Sequence, residues 1–298
     1  MPKAQPQSAG LACAVLGAVG FSFKAVFVKA AYRYGVDAET LLALRMLYAL
    51  PLFVLMGIAA ARRAPAAISC ADWRALALLG LFGYYLASYL DFLGLRFISA
   101  ALERVILFIY PTIVVMHTAW RARRLPSPTT CAALLLCYLG VALAVTHDLH
   151  RGGRGVWLGG ALVFGSALSF AAYLLRSGPL IGRLGATRVT AGATGIACVL
   201  VIAQFLVLRP AVNLVAQPWQ VQALSAAMAV FSTVLPIWLV SAAIHRIGAG
   251  PTAIVGALGP VITMLLAWGL LGEALGLLQC LGAGLVIVGV RLVATAQP

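Results

Sequence analysis

Apolar residues run along this chain in long unbroken blocks, separated by short punctuation of Arg, Pro, Gly and Ser. The blocks fall near residues 9–31, 39–60, 73–95, 99–120, 128–146, 156–176, 188–208, 219–242, 249–271 and 275–294. Each is close to the ~20 residues that a helix needs to cross ~30 Å of hydrocarbon. Backbone in lipid must satisfy its own hydrogen bonds, and these runs lack the alternation of a β-barrel. The pattern therefore predicts an all-α membrane protein with ten transmembrane helices. The first block reaches Ala31 and contains Lys24, so it is too long for a cleaved signal peptide and reads as a retained helix.

Composition supports the same class. Of 298 residues, 63% are apolar and only 9% charged, with a mean hydropathy of +1.04. A soluble domain is about half apolar and about a quarter charged, so the solvent of this chain is the lipid bilayer. Ten spans and short loops use up the length and leave no room for a separate soluble domain.

A net charge of +14 would suggest nucleic acid in a soluble protein. Here the cations stand singly or in twos and threes between spans, as topology signals do, and no nucleic-acid partner is expected. With the N-terminus inside, the inner loops collect Lys3, Arg62, Arg63, Arg74, Arg121, Arg123, Arg124, Arg176, Arg183, Arg188, Arg246 and Arg291. The outer loops collect Lys29, Arg33, Arg96, Arg104, Arg151, Arg154 and Arg209. This excess predicts a bacterial-type inner membrane protein with both termini cytoplasmic.

The chain repeats itself. A shift of 149 residues places Pro111 on Pro260, Gly10 on Gly159, Phe21 on Phe170, Cys131 on Cys280 and Gly140 on Gly289. Residues 1–149 and 150–298 thus form two halves of five helices each. An odd number makes the second half enter the membrane from the opposite side. Such inverted repeats are a recurrent architecture of secondary transporters, with the substrate site between the halves.

Particular stretches resemble a known family. Gly259-Pro-Val-Ile-Thr-Met-Leu-Leu-Ala-Trp-Gly-Leu-Leu-Gly-Glu273, with the run that follows to Gly289, is similar to the end of an EamA-type half, and Ile109-Tyr-Pro-Thr-Ile-Val-Val-Met and Cys131 to Gly140 are its counterpart. Phe21 to Lys29 and Thr40 to Arg45 resemble the opening of such a half. EamA domains belong to the drug/metabolite transporter superfamily. The resemblance implies an exporter or importer of small metabolites, often amino acids or related compounds. One departure is that Glu273 has Arg124 as its counterpart, so symmetric carboxylates at those loops are absent.

Charged side chains inside a span are costly and mark functional sites by default. Lys24, Arg45, Asp91, Glu103 and Arg104 all fall towards the outer leaflet, and Lys24 lies only about 6 Å from the middle of its span at 1.5 Å per residue. The shift of 149 sets Tyr173 opposite Lys24, Thr194 opposite Arg45, Val240 opposite Asp91, and Thr252 and Ala253 opposite Glu103 and Arg104. The first half alone carries the charges. Lys24 and Arg45 suit an anionic substrate group, while Asp91 and Glu103 are able to carry a proton as coupling ion. Snorkelling to the interface, or a structural pair such as Lys24–Asp91, is the alternative. Arg104 reads as an interface anchor.

Pro111, Pro236 and Pro260 read as kinks, either structural or gating. Tyr110, Tyr173 and Trp268 are candidates to line a pathway. Gly140, Gly282, Gly284 and Gly289 read as scaffold or as the surface of a homodimer.

The six cysteines form no C-x-x-C pair and read as small buried thiols. His147-Asp148-Leu149-His150, expected in the linker between halves, lacks a third ligand, so no metal is assigned. No P-loop, G-x-S-x-G or H-E-x-x-H occurs, so no catalytic residue and no cofactor is expected. The function these readings favour is gradient-driven secondary transport, in the direction of export, of a small metabolite such as an amino acid or related compound. The alternatives are export of lipophilic cations or, from another class, a lipid-modifying intramembrane enzyme starting from Asp91 and Glu103.

Overall fold

A computed structural model describes residues 7–63, 68–121, 123, 128–152, 155–247, 252, 255–256 and 258–295. Among these residues the chain is helical with short turns and has no strand. We label the helices α1 (Gln7–Tyr32), α2 (Ala38–Arg63), α3 (Cys70–Gly94), α4 (Ala100–Leu107, resuming at Tyr110–Arg121) and α5 (Pro128–Gly152). They are followed by α6 (Gly155–Leu184), α7 (Ala186–Leu208), α8 (beginning at Trp219–Ala229 and ending with Leu235–Ile247), α9 (Gly259–Leu271) and α10 (Leu277–Thr295). A one-turn helix, Val212–Val215, joins α7 to α8. Six of them (α1, α2, α3, α6, α7 and α8) are long and apolar enough to cross a membrane, and α5, α9 and α10 contain shorter apolar stretches.

Helix starts are fixed by polar caps. Asp37 accepts hydrogen bonds from the Thr40 N–H at 3.0 Å and the Thr40 hydroxyl at 2.7 Å, capping α2. Burial alone would raise the Asp37 carboxyl, but these Thr40 bonds outweigh it and hold the group below its ordinary range. Ser69 and Asp72 form a reciprocal capping box at α3. Ser99 caps the Leu102 N–H of α4 at 3.0 Å, and Glu273, from the other half, accepts from the Ala100 N–H at 3.2 Å.

The structure corrects several expectations. Helix α6 does not stop near residue 176. It continues through Pro179 to Leu184, where Arg183 pairs with Asp72 and Gly185, at φ +82°, breaks the helix. Helix α5 runs through residues 147–150, which are therefore helical in backbone and not a linker loop. Pro111 and Pro260 do not kink continuous helices; each is the second residue of a segment that begins after a break, where a missing N–H costs nothing. Of the cysteines, Cys137 and Cys198 are buried, but Cys70, Cys131 and Cys280 are exposed, because they lie on helix faces turned away from the bundle.

Positions 149 apart make equivalent contacts. Gly10 lies against Ile247 and Arg246, while Gly159 lies against Ile98 and Phe97, the matching residues. A Cβ on Gly20 would meet the Phe231 carbonyl at 2.8 Å; its mate Ser169 donates to the carbonyl of Phe82, the mate of Phe231, at 2.7 Å. Stretches of π-helix interrupt α3 at Leu81–Leu86 and α8 at Val230–Val234, again one shift apart. Helix pairing follows the same rule: α1 packs on α8 and α6 on α3, while α2, α4 and α5 each pack on their own mates α7, α9 and α10. Reciprocal contacts of this kind require an approximate two-fold axis between the halves. The Cys137 thiol lies 3.8 Å from the carbonyl of its own mate, Val286, so the axis passes between α5 and α10. Gly140 and Gly282 let those two backbones approach closely.

The outside of the bundle is apolar. Leu55, Trp120, Trp157, Val207 and Leu277 are among many large hydrophobic side chains left exposed. A soluble monomer rarely shows apolar surface on this scale, and lipid covers it here.

Candidate functional site

Four of the charges that stand inside spans converge where α1 meets α2, α3 and α4. The Lys24 ammonium, from α1, lies 2.6 Å from Asp91 Oδ2 of α3 and 2.8 Å from Glu103 Oε1 of α4. The two carboxyl groups are thus no further apart than one ammonium can bridge, and they also interact with each other. The Asp91 and Glu103 side chains are 3% and 0% exposed, whereas Lys24 keeps 15%, so Lys24 is the least buried of the three. Asp91 Oδ1 and Glu103 Oε2 have no hydrogen-bond partner. Taking such ions out of water costs several kcal/mol each, which a direct ion pair largely offsets.

Arg45, from α2, lies beside this group and is buried. Its Nε donates to Thr233 Oγ1 at 3.0 Å, in the π-helical stretch of α8. Its guanidinium carbon sits 5.3 Å from the centroid of the Phe92 ring. Its Nη1 has no partner, although a buried guanidinium N–H rarely goes without one. Arg104 is also buried and not an interface anchor: its Nε donates to Thr263 Oγ1 of α9 at 3.1 Å, and another N–H reaches the Phe21 carbonyl of α1. Thr263 in turn donates to the Ser22 carbonyl at 3.5 Å. Both arginines therefore tie the first half to the second.

Tyr110 and Tyr173 meet at a second place. The Tyr110 ring packs edge-on against Phe170 at 5.1 Å, Phe170 stacks with Tyr173 at 5.6 Å, and Tyr173 meets Tyr84 at 5.2 Å. The Tyr84 and Tyr173 hydroxyls are 3.4 Å apart. A small cavity of about 90 Å³ opens beside Tyr173 and Arg176. Trp268 joins neither cluster. It is 59% exposed. Pro236 packs against Gly20 across the α1–α8 contact.

Thr233, Thr263 and Ser22 were not legible as site residues, since a small hydroxyl in an apolar span carries no charge signal. The one available clue was the shift of 149, which sets Thr233 opposite Tyr84.

Two repeats related by a two-fold axis, buried charges where they meet and an apolar exterior define a multi-pass membrane protein of the transporter type. The EamA-like transporter family matches residues 8–146 and again 157–295, so the chain belongs to that family and to the drug/metabolite transporter superfamily. It is 32% identical over 286 residues to the uncharacterized transporter YcbK of Bacillus subtilis (strain 168), covering 95% of this chain and 91% of that one. A solved crystal structure matches with a TM-score of 0.62 and 17% identity, over 96% of this chain and 97% of its own, which shows the fold alone.

Proposed function

We propose that the protein is a secondary transporter that exports a small metabolite, such as an amino acid or related compound, across the inner membrane. In this reading ten helices form two inverted five-helix halves with both termini in the cytoplasm, as the Arg and Lys distribution favours. The halves rock about a central site and expose it to each side in turn, driven by a gradient.

The observation that carries the reading is the Lys24, Asp91, Glu103 and Arg45 cluster, buried at the junction of the halves with polar atoms still unpartnered. The open Arg45 Nη1 suits a substrate carboxylate. The open oxygens of Asp91 and Glu103 favour a second reading, export of lipophilic cations.

The test begins with thermal shift of the purified protein against amino acids, nucleobases, vitamins, polyamines and lipophilic cations, because a ligand of the folded state raises the melting temperature. Compounds that bind are then followed by counterflow in proteoliposomes. Carboxylate-bearing compounds are expected to exchange, with exchange lost in Arg45→Ala at equal protein content. Exchange confined to lipophilic cations would replace the metabolite reading with the second one.

A further inference from the structure

We infer that the Asp91–Glu103 carboxyl pair is the coupling-proton site of this protein, and that Lys24 is the tethered cation which occupies it between protonations. The inference rests on the transport reading and names its coupling ion.

The geometry supplies both parts. Two carboxyl groups share a single ammonium, and each keeps one oxygen, Asp91 Oδ1 and Glu103 Oε2, without a hydrogen-bond partner. The other charged and titratable groups facing them are few. Arg45 and Tyr32 face Asp91, and Arg104 faces Glu103. None of these replaces the ammonium. Arg45 is anchored by its Nε on Thr233 and by its guanidinium over the Phe92 ring, Arg104 is held by Thr263 and the Phe21 carbonyl, and the Tyr32 hydroxyl donates to the Phe92 carbonyl at 2.6 Å. Of these groups Lys24 is the one in contact with both carboxyl groups, and its side chain is less buried than either of theirs.

When Lys24 withdraws, two carboxylates are left facing each other in a dry site. Like charges so placed do not both stay ionised, and one takes a proton from a hydronium ion, which leaves as water. An O–H bond forms on one carboxyl group and donates to the other, while Lys24 keeps its own proton and remains an ammonium. The exchange is of one cation for another, H⁺ for the tethered ammonium, and the site carries the same net charge before and after it. The ammonium comes from α1 and the carboxyls from α3 and α4, so the exchange loosens α1 from its two neighbours. α1 is also the helix that packs on α8 of the other half. Proton uptake is thereby joined to movement between the halves.

The chain has only seven acidic residues, which makes the carboxyl region of its infrared spectrum simple. The experiment is a pH titration of the full-length protein in lipid, from about pH 9 to about pH 5, followed at the carboxylic-acid C=O stretch. The wild type is expected to gain a protonated-carboxyl band that is absent from Asp91→Asn and Glu103→Gln. Glu103→Asp, which keeps the pair, is expected to retain a band at a shifted frequency. A band unchanged in both neutral variants, or no titrating band in the wild type, overturns the proton site. Loss of the band-forming ability needs no substrate, so the outcome separates from counterflow. A titrating band without metabolite exchange sinks the transport reading alone, and exchange without a band sinks this inference alone.

Discussion

The two clusters described above are the same place in the two halves. The shift of 149 carries Lys24 onto Tyr173, Arg45 onto Thr194, Phe21 onto Phe170 and Tyr84 onto Thr233. One side of the two-fold axis therefore holds ammonium, guanidinium and carboxylates, and the opposite side holds stacked aromatic rings. The contacts between backbones have been kept while the chemistry has diverged. Parting the rings forfeits ring contacts worth about 0.5–1.5 kcal/mol each. Parting the ions strands buried charges, which is far more costly unless another ion takes the place of the one removed. A protein built this way has one junction that opens by loss of contact and one that opens by ion exchange.

The largest test of that contrast is Lys24→Met. Removing the ammonium leaves Asp91 and Glu103 buried without their cation, and breaking such a pair costs about 3–5 kcal/mol. The variant is expected to melt well below the wild type in detergent. The triple variant Lys24→Met, Asp91→Asn, Glu103→Gln removes all three charges together and is expected to recover most of the loss without recovering transport. A single variant as stable as the wild type would mean that the ionic junction is not held by its charges.

How much of this was legible in the sequence depends on the kind of signal. Helices could be read because lipid demands long apolar runs, and the two-repeat architecture because Pro111, Pro260 and several glycines recur at one offset. The charged residues could be read as candidates because each is expensive within a span. Their partners could not. That Lys24 touches Glu103 as well as Asp91 follows from how three helices pack, and no linear spacing records it. Arg104 was misread as an anchor because its partners, Thr263 and a backbone carbonyl, carry no charge. That Trp268 stands apart from both clusters could not be read either, because aromatic rings serve lipid-facing and inward faces alike.

Smaller effects sharpen the comparison. Thr233→Val removes the acceptor of the Arg45 Nε, on a guanidinium that already has an open Nη1. A hydrogen bond to a charged group is worth about 1.5–3 kcal/mol, and thermal unfolding should show a loss in that range. Tyr173→Phe keeps the ring between Phe170 and Tyr84 and deletes only a hydroxyl contact of 3.4 Å. Its expected cost is about 0.5–1.5 kcal/mol, read in the same assay. A larger loss at Tyr173 than at Thr233 would reverse the ranking of the two junctions.

The smallest expected effect is the most discriminating. Thr194 is the mate of Arg45 and is fully buried, beside Tyr84, which is the mate of Thr233. The positions correspond, yet Thr194 Oγ1 has only the Tyr84 hydroxyl near it and no well-formed hydrogen bond, whereas Thr233 Oγ1 accepts from Arg45 and donates to the Met228 carbonyl at 3.0 Å. Replacing such a poorly bonded hydroxyl with a methyl group removes a desolvation cost and leaves the Tyr84 hydroxyl its Tyr173 contact, so it is neutral or stabilising. Thr194→Val should therefore melt at or above the wild-type temperature, while the same substitution at Thr233 lowers it. Equal losses at the two sites would mean that the aromatic junction also depends on polar contacts, and the division of the molecule into an ionic and an aromatic side would fail.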